Sequence, residues 1–187
     1  MTCIIGLIEN GAIYFGADSA VSTHCTIKTF KEAKIFRKGN ILMGVSGPPR
    51  VKQLLHYTLK IPAHPKKESI EKYICTRFVD AARKCFKAGG YAKREHGVET
   101  GGYFLVGYKG QLFTVYGDYQ ALCATYNYAA IGSGEEVALG SLHTMQATKQ
   151  TPETRIRKAL LAAEEFSRGV RGPFTFLTLK EAEHHGN

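Results

Sequence analysis

The order in which short apolar runs and helical periodicities follow one another restricts the fold of this chain most. Residues 3–8 and 12–17 are apolar runs on either side of Glu9-Asn10-Gly11. An Asn-Gly pair in that setting predicts a hairpin, because both residues tolerate the positive φ that a tight turn demands. A second hairpin is predicted from residues 34–37 and 41–45 around Lys38-Gly39-Asn40, with Ser46-Gly47-Pro48-Pro49 breaking its second strand. The helical spacing of Val51, Leu54, Leu55 and Leu59 then predicts a helix over residues 50–60, and Pro62 and Pro65 interrupt the chain. Ser69 is placed to cap the next helix, with Ile70, Ile74, Phe78, Ala81, Cys85 and Phe86 on its buried face and Gly89-Gly90 at its end. Residues 91–101 are polar and read as a loop. Residues 103–108 and 112–116 form a third hairpin around Lys109-Gly110, and residues 129–131 a short strand before Gly132-Ser133-Gly134. A helix follows over residues 135–148. Another opens at Thr151-Pro152, with Thr151 as cap and Ile156, Leu160, Ala163 and Phe166 pointing inward. Residues 174–179 make the last strand.

Paired strands alternating with paired helices do not build a parallel βαβ sheet. They suit antiparallel sheets covered by helices, an α+β arrangement in layers. A chain of 187 residues fits one domain over 1–187, ending in a polar tail at 180–187.

Several function classes are set aside by composition and motif. The formal charge is +9, but the basic residues are scattered in small groups, so no nucleic-acid partner is expected. Five cysteines without Cys-x-x-Cys spacing read as reduced thiols in the cytoplasm rather than as disulfides or a zinc site. There is no basic-then-apolar leader and no membrane-length apolar run, so neither secretion nor a membrane is expected. No Gly-x-x-x-x-Gly-Lys-Ser/Thr loop, dinucleotide fingerprint or His-Glu-x-x-His is present, and His184-His185 reads as part of the polar tail. No cofactor and no metal are expected.

The N-terminus carries a different possibility. Thr2 follows Met1, and removal of Met1 would leave a free α-amine beside a β-hydroxyl at the start of the first strand. A hydroxyl needs a base to become a useful nucleophile, and an α-amine titrates near neutrality, so one residue can supply both groups. Thr2 alone is poor evidence. Asp18, however, closes the second strand opposite the start of the first, and Lys34 opens the third. A buried Lys34 would keep the amine neutral, while Asp18 would keep Lys34 charged and oriented. Ser46-Gly47 ends a strand where a backbone N–H could meet an oxyanion, and Ser133 lies at a strand-to-helix junction.

With these residues in place, the chain resembles the proteasome β subunits and, in size and texture, the bacterial HslV peptidase. The resemblance rests on Met1-Thr2, Gly16-Ala17-Asp18-Ser19, Lys34, Gly44-Val45-Ser46-Gly47 and Ala130-Ile131-Gly132-Ser133-Gly134, at the family's spacings and across nearly the whole chain. It implies the N-terminal nucleophile (Ntn) hydrolase fold, a four-layer αββα sandwich. It implies Thr2 as nucleophile and base, Lys34 and Asp18 as its tuning pair, the Gly47 N–H as oxyanion donor and Ser133 as an aid to proton transfer. It also implies hydrolysis of polypeptide substrates inside a self-assembled ring, fed by a separate ATPase.

The chain departs from that pattern near its C-terminal helix. Where the family carries a supporting Asp, and proteasomes then Ser-Gly-Gly, this chain has Glu164-Glu165-Phe166-Ser167-Arg168-Gly169. Glu165 would stand in for the Asp, with Arg168 in place of a Ser. Pro48-Pro49 would reshape the specificity pocket, and residues 62–100 are longer than the resemblance implies. Simpler roles exist for each residue: Asp18 as a turn cap, Lys34 as a solvated edge lysine, Gly132-Ser133-Gly134 as a helix start. Cys3 would be a nucleophile only if two residues were removed, and it reads as a core strand residue. A scaffold that has lost turnover, and an amidase or acylase for small substrates, stand as alternatives to a peptidase.

Overall fold

The computed structural model describes residues 2–22, 26–95 and 97–180. Its strands run β1 (Ile4–Glu9), β2 (Ala12–Ala17), β3 (Ala20–Ser22), β4 (Ile27–Thr29), β5 (Ile35–Lys38) and β6 (Ile41–Ser46). Helix α1 (Pro49–Gln53) continues through a π-helical turn at Leu54–Thr58. Helix α2 (Ile70–Tyr73) passes through a second such turn, Ile74–Phe78, into α3 (Val79–Ala88). Then come β7 (Lys93–Glu95), β8 (Val98–Thr100), β9 (Tyr103–Tyr108), β10 (Gln111–Val115), β11 (Ala121–Cys123) and β12 (Tyr128–Ile131). Helices α4 (Glu135–Thr144) and α5 (Pro152–Phe166) precede β13 (Thr175–Leu179).

The strands form a four-stranded sheet in the order β12-β1-β2-β13, a five-stranded sheet in the order β11-β10-β9-β6-β5, and two ribbons, β3-β4 and β7-β8. Every described pairing is antiparallel, as the hairpin-rich sequence requires. Side chains alternate across each strand, and the alternation sorts them into separate cores. Ile4, Phe15 and Ile131 of the first sheet meet Ile35, Leu42 and Leu105 of the second in one buried cluster. Ile5 and Leu7 point the other way and join Leu142 of α4 and Ile156 and Leu160 of α5. In the second sheet Met43, Phe104 and Val106 likewise turn to Val51, Phe78 and Phe86 on the helical segments after β6. Arg155 of α5 is 4% exposed and pairs with Glu9 at the end of β1, which pins the helix along the strand.

The main hairpins and helices lie where the sequence places them, and Ser69 and Thr151 cap their helices through Lys72 N and Thr154 N. Five features differ. Residues 91–101 hold the ribbon β7-β8, whose turn contains Gly97 at φ +84; its polar strands carry no apolar alternation. The β3-β4 ribbon and β11 carry none either, so the predicted third strand is in fact β5. Ala82, four residues after Phe78 and four before Phe86, is fully buried, and Ala81 beside it packs only partly against the same cluster, while Ile74, Phe78, Cys85 and Phe86 are buried as predicted. The fourth helix stops at Thr144 in a series of turns, and Phe166, at the last position of α5, is 77% exposed instead of inward.

Glycines let the two sheets approach. A Cβ on Gly44 of β6 would meet Ile4 Cγ2 at 2.5 Å and Ile35 Cγ2 at 3.1 Å. Both neighbours are short branches on opposing strands and cannot swing aside. Gly44→Ala is therefore expected to lower stability by about 1–3 kcal/mol, the usual cost of overpacking, read as an earlier urea midpoint with an unchanged slope.

Candidate active site

The start of β1 lies between the ends of two strands. Ile4 pairs with Ala17 at the end of β2 on one side and with Ile131 at the end of β12 on the other. This register carries Asp18 and Gly132, the next residues of those strands, to opposite sides of Thr2-Cys3. The close approach at Gly44 brings β1 against the second sheet, where Lys34 immediately precedes β5.

Asp18 is wholly buried and fully occupied. Its Oδ1 accepts from Lys34 Nζ at 2.7 Å and from Cys3 N at 2.9 Å. Its Oδ2 accepts from Ala20 N at 3.0 Å and from Arg171 N at 3.4 Å. Lys34 Nζ also donates to Thr2 Oγ1 at 3.1 Å. Burial pushes the Lys34 pKa below its ordinary value, and the Asp18 carboxylate pulls it partly back. An ammonium here is thus a strained proton holder with a hydroxyl and a carboxylate as its partners.

The other side of Thr2 rests on the turn after β12. Thr2 N donates to Ser133 Oγ at 3.1 Å, while Thr2 O accepts from Gly134 N at 3.1 Å and from Ser133 Oγ at 3.4 Å. Gly132 sits at φ +103, and a Cβ there would run into the Thr2 carbonyl, so both backbone conformation and space call for glycine. With Met1 attached the Thr2 nitrogen is an amide; removal of Met1 would give it a lone pair at the same place. Met1 itself, Cys25, His184, His185 and nearly all of the predicted polar tail lie outside the described residues.

Thr2 and Lys34 open onto a cleft of about 600 Å³ that Gly47, Pro48 and Pro49 also line. Gly47 follows β6 at φ +116, and Pro49 is the first residue of α1, so the Pro-Pro pair turns the chain from strand to helix along the cleft wall. Thr2, Asp18, Lys34 and Ser133 are thus joined by direct hydrogen bonds, and Gly47 shares their cleft.

Glu165 does not join them. It stands on the exposed face of α5, and a helix turns successive side chains by roughly 100°, so it is Glu164 that faces inward. Glu164 Oε1 accepts from Gly172 N at 3.0 Å, next to the Arg171 N–H that binds Asp18. Ser19 completes this support, taking its N–H to Arg171 O at 3.0 Å and its hydroxyl to Pro173 O. Glu164 and the 171–173 backbone carry no sequence signal of their own; Ser19 stood in the Gly-Ala-Asp-Ser motif without an assigned task. Among the described residues no group of three or more His, Cys, Asp or Glu could hold a metal ion, and no helix is long and apolar enough to cross a membrane.

No protein-family model matches the sequence, and no curated protein does. Solved structures do. The Thiobacillus denitrificans BPH, a bacterial proteasome homologue, superposes with a TM-score of 0.80 at 20% identity over 97% of this chain and 100% of its own. The same protein in complex with epoxomicin gives a TM-score of 0.79. The eukaryotic HslV from Trypanosoma brucei gives 0.67 at 13% identity, over 96% of this chain and 99% of its own. Anbu (ancestral beta-subunit) from Yersinia bercovieri gives 0.66 at 14% identity, over 96% and 82%. These are proteasome-like Ntn hydrolases, and the likeness gives the present chain their fold.

Cys3 is fully buried, and burial first, then the Asp18 charge, pushes its thiol up to about 12. It therefore stays protonated and unreactive at neutral pH. Treatment of the native protein with iodoacetamide at about pH 8, above which a free thiol begins to ionise, is expected to modify the exposed Cys75 and Cys123 and to spare Cys3 and Cys85. Peptide mass mapping that finds Cys3 alkylated without unfolding would overturn this assignment.

Proposed function

We propose that this protein is a threonine endopeptidase of the proteasome type, with Thr2 as nucleophile after Met1 is removed. The observation that carries the reading is the single lysine ammonium that lies 3.1 Å from Thr2 Oγ1 and 2.7 Å from the buried Asp18 carboxylate. A lysine so held stabilises an alkoxide-like hydroxyl and disfavours protonation of an amine beside it. In the proposed reaction Thr2 Oγ1 attacks the scissile carbonyl and its proton passes to the free Thr2 amine, assisted by Ser133. The oxyanion is held by the Gly47 N–H. The protonated amine then gives its proton to the leaving amine of the peptide. Water, with the Thr2 amine again as base, hydrolyses the resulting ester and restores the enzyme.

On this reading residues 1–187 form one unit, and the two sheets with their helices are the four-layer αββα sandwich of the Ntn hydrolases. The chain would assemble with copies of itself into a ring in the cytoplasm and receive polypeptides from a separate ATPase, since no P-loop is present in its sequence. The second reading, a proteasome-fold scaffold without turnover, is favoured by one observation: Glu165, the expected supporting carboxylate, points to solvent.

Intact mass of the purified protein should show loss of Met1, and a panel of fluorogenic peptides should be cleaved by wild type but not by Thr2→Ala. Epoxomicin, which the Thiobacillus denitrificans protein binds, should add its mass to wild type alone. Met1 retained on an active protein, or hydrolysis unchanged in Thr2→Ala, would refute the mechanism. Lys34→Ala should lower kcat by about 100-fold or more, in the range of a lost proton-transfer group, with less change in KM. A folded Lys34→Ala protein of full activity would remove Lys34 from the site.

A further inference from the structure

Glu135 is the first residue of α4, where a carboxylate is favoured by the helix dipole and commonly faces water. Here one of its oxygens has two other tasks. Glu135 Oε2 accepts from Gly132 N at 2.9 Å, three residues back along the chain, and from the Tyr103 hydroxyl at 3.0 Å. The first bond closes the turn that carries Ser133. The second crosses to the other sheet, because Tyr103 opens β9. Tyr103 is in turn the ladder partner of Ser46, the residue before Gly47. Its ring is stacked on Tyr116 at 5.4 Å between centroids, which fixes where the hydroxyl points. Burial, followed by the nearby Glu135 charge, raises the Tyr103 pKa, so the phenol remains a donor throughout the working pH range.

The two halves of the candidate site thus belong to different sheets. Thr2, Asp18 and Ser133 stand on the ends of β1, β2 and β12, while Gly47 stands on the end of β6. Lys34 links them on one side through Asp18. We infer that Tyr103 and Glu135 form a second cross-sheet brace, a positioning pair that holds the Ser133 turn, and with it the Thr2 backbone, in register with the Gly47 N–H. Their hydrogen bonds reach the backbone of Gly132 and each other, and Thr2 Oγ1 takes a bond from Lys34, so the pair acts through the Gly132 backbone and the Ser46–Tyr103 ladder. The catalytic consequence rests on the threonine-hydrolase reading above, and the brace itself does not.

Because a single oxygen takes both bonds, Gln can replace Glu at position 135, its amide oxygen accepting from the same two donors. Glu135→Ala and Tyr103→Phe each break the cross-sheet bond. Peptide hydrolysis should fall about 10-fold or more in kcat in both, with KM changed by less than about 2-fold, as expected for a small misplacement of reacting groups. Glu135→Gln should retain most of the wild-type kcat. In parallel, NMR hydrogen exchange of the Gly132 amide should be slow in wild type and Glu135→Gln and faster in Glu135→Ala. Thermal melts confirm that each variant is folded. The proposal is overturned if Glu135→Gln loses as much activity as Glu135→Ala, which would make charge the operative property, or if Gly132 exchange is the same in all three proteins. Wild type that cleaves no peptide would defeat the hydrolase reading, and the brace would still be decided by Gly132 exchange in Tyr103→Phe, which keeps the local bond to Glu135: faster exchange than wild type is expected, and unchanged exchange would overturn the brace.

Discussion

The buried Asp18 carboxylate draws four separate stretches of the chain to one point. A carboxylate out of contact with water is tolerated only if its oxygens are satisfied by charge and hydrogen bonds. Asp18 meets that condition with donors from four separate places: the first strand at Cys3, its own turn at Ala20, the second sheet at Lys34 and the segment after α5 at Arg171. Each donor belongs to a different stretch of chain, so the ion obliges all of them to converge. Without Lys34 the charge would be uncompensated; without the three backbone N–H groups the lysine would be its only partner. The same convergence brings Lys34 Nζ against Thr2 Oγ1.

Close packing makes that convergence possible. The first sheet can approach the second at Ile4 only because position 44 has no side chain, and Thr2 can lie against the turn after β12 only because position 132 has none. These are steric requirements, and they explain why small residues stand beside the polar ones in each motif. Glu164, through Gly172 N, and Ser19, through Arg171 and Pro173, then hold the segment that supplies the last donor to Asp18. Glu165 faces solvent, and the carboxylate that the helix turns inward, Glu164, bonds to the Gly172 backbone instead. The Tyr103–Glu135 contact adds a hydrogen bond between the sheets, from the start of β9 to the turn after β12. A residue such as Thr2, held between two sheets, is otherwise placed only as exactly as the sheets pack.

Much of this was legible in the sequence, for reasons of local physics. The Asn10-Gly11, Lys38-Gly39-Asn40 and Lys109-Gly110 turns announce hairpins because few other residues accept their backbone angles. Ser69 and Thr151-Pro152 announce helix starts because they satisfy or avoid free N–H groups. Apolar alternation then separates the faces of β1, β6 and β9. The ribbons β3-β4 and β7-β8 and strand β11 left no such trace: their residues are largely polar or exposed, and backbone bonds alone define them. The buried face of the α2–α3 segment is read correctly at Ile74, Phe78, Cys85 and Phe86, and only the choice between the neighbouring alanines 81 and 82 needs the packing.

Local pattern alone carries the antiparallel, hairpin-built α+β class, the spacing of Thr2, Asp18, Lys34, Gly47 and Ser133 along the chain, and the glycines of the tight turns. Those properties depend on neighbours within a few residues, which a sequence displays directly. Long-range packing sets β1 between β2 and β12, gives Asp18 its donors from Cys3, Lys34 and Arg171, and turns Glu164 rather than Glu165 inward. The same packing brings Tyr103 to Glu135. Each of these joins residues far apart in the chain, and their meeting depends on strand order, register and helix phase, which no local pattern encodes.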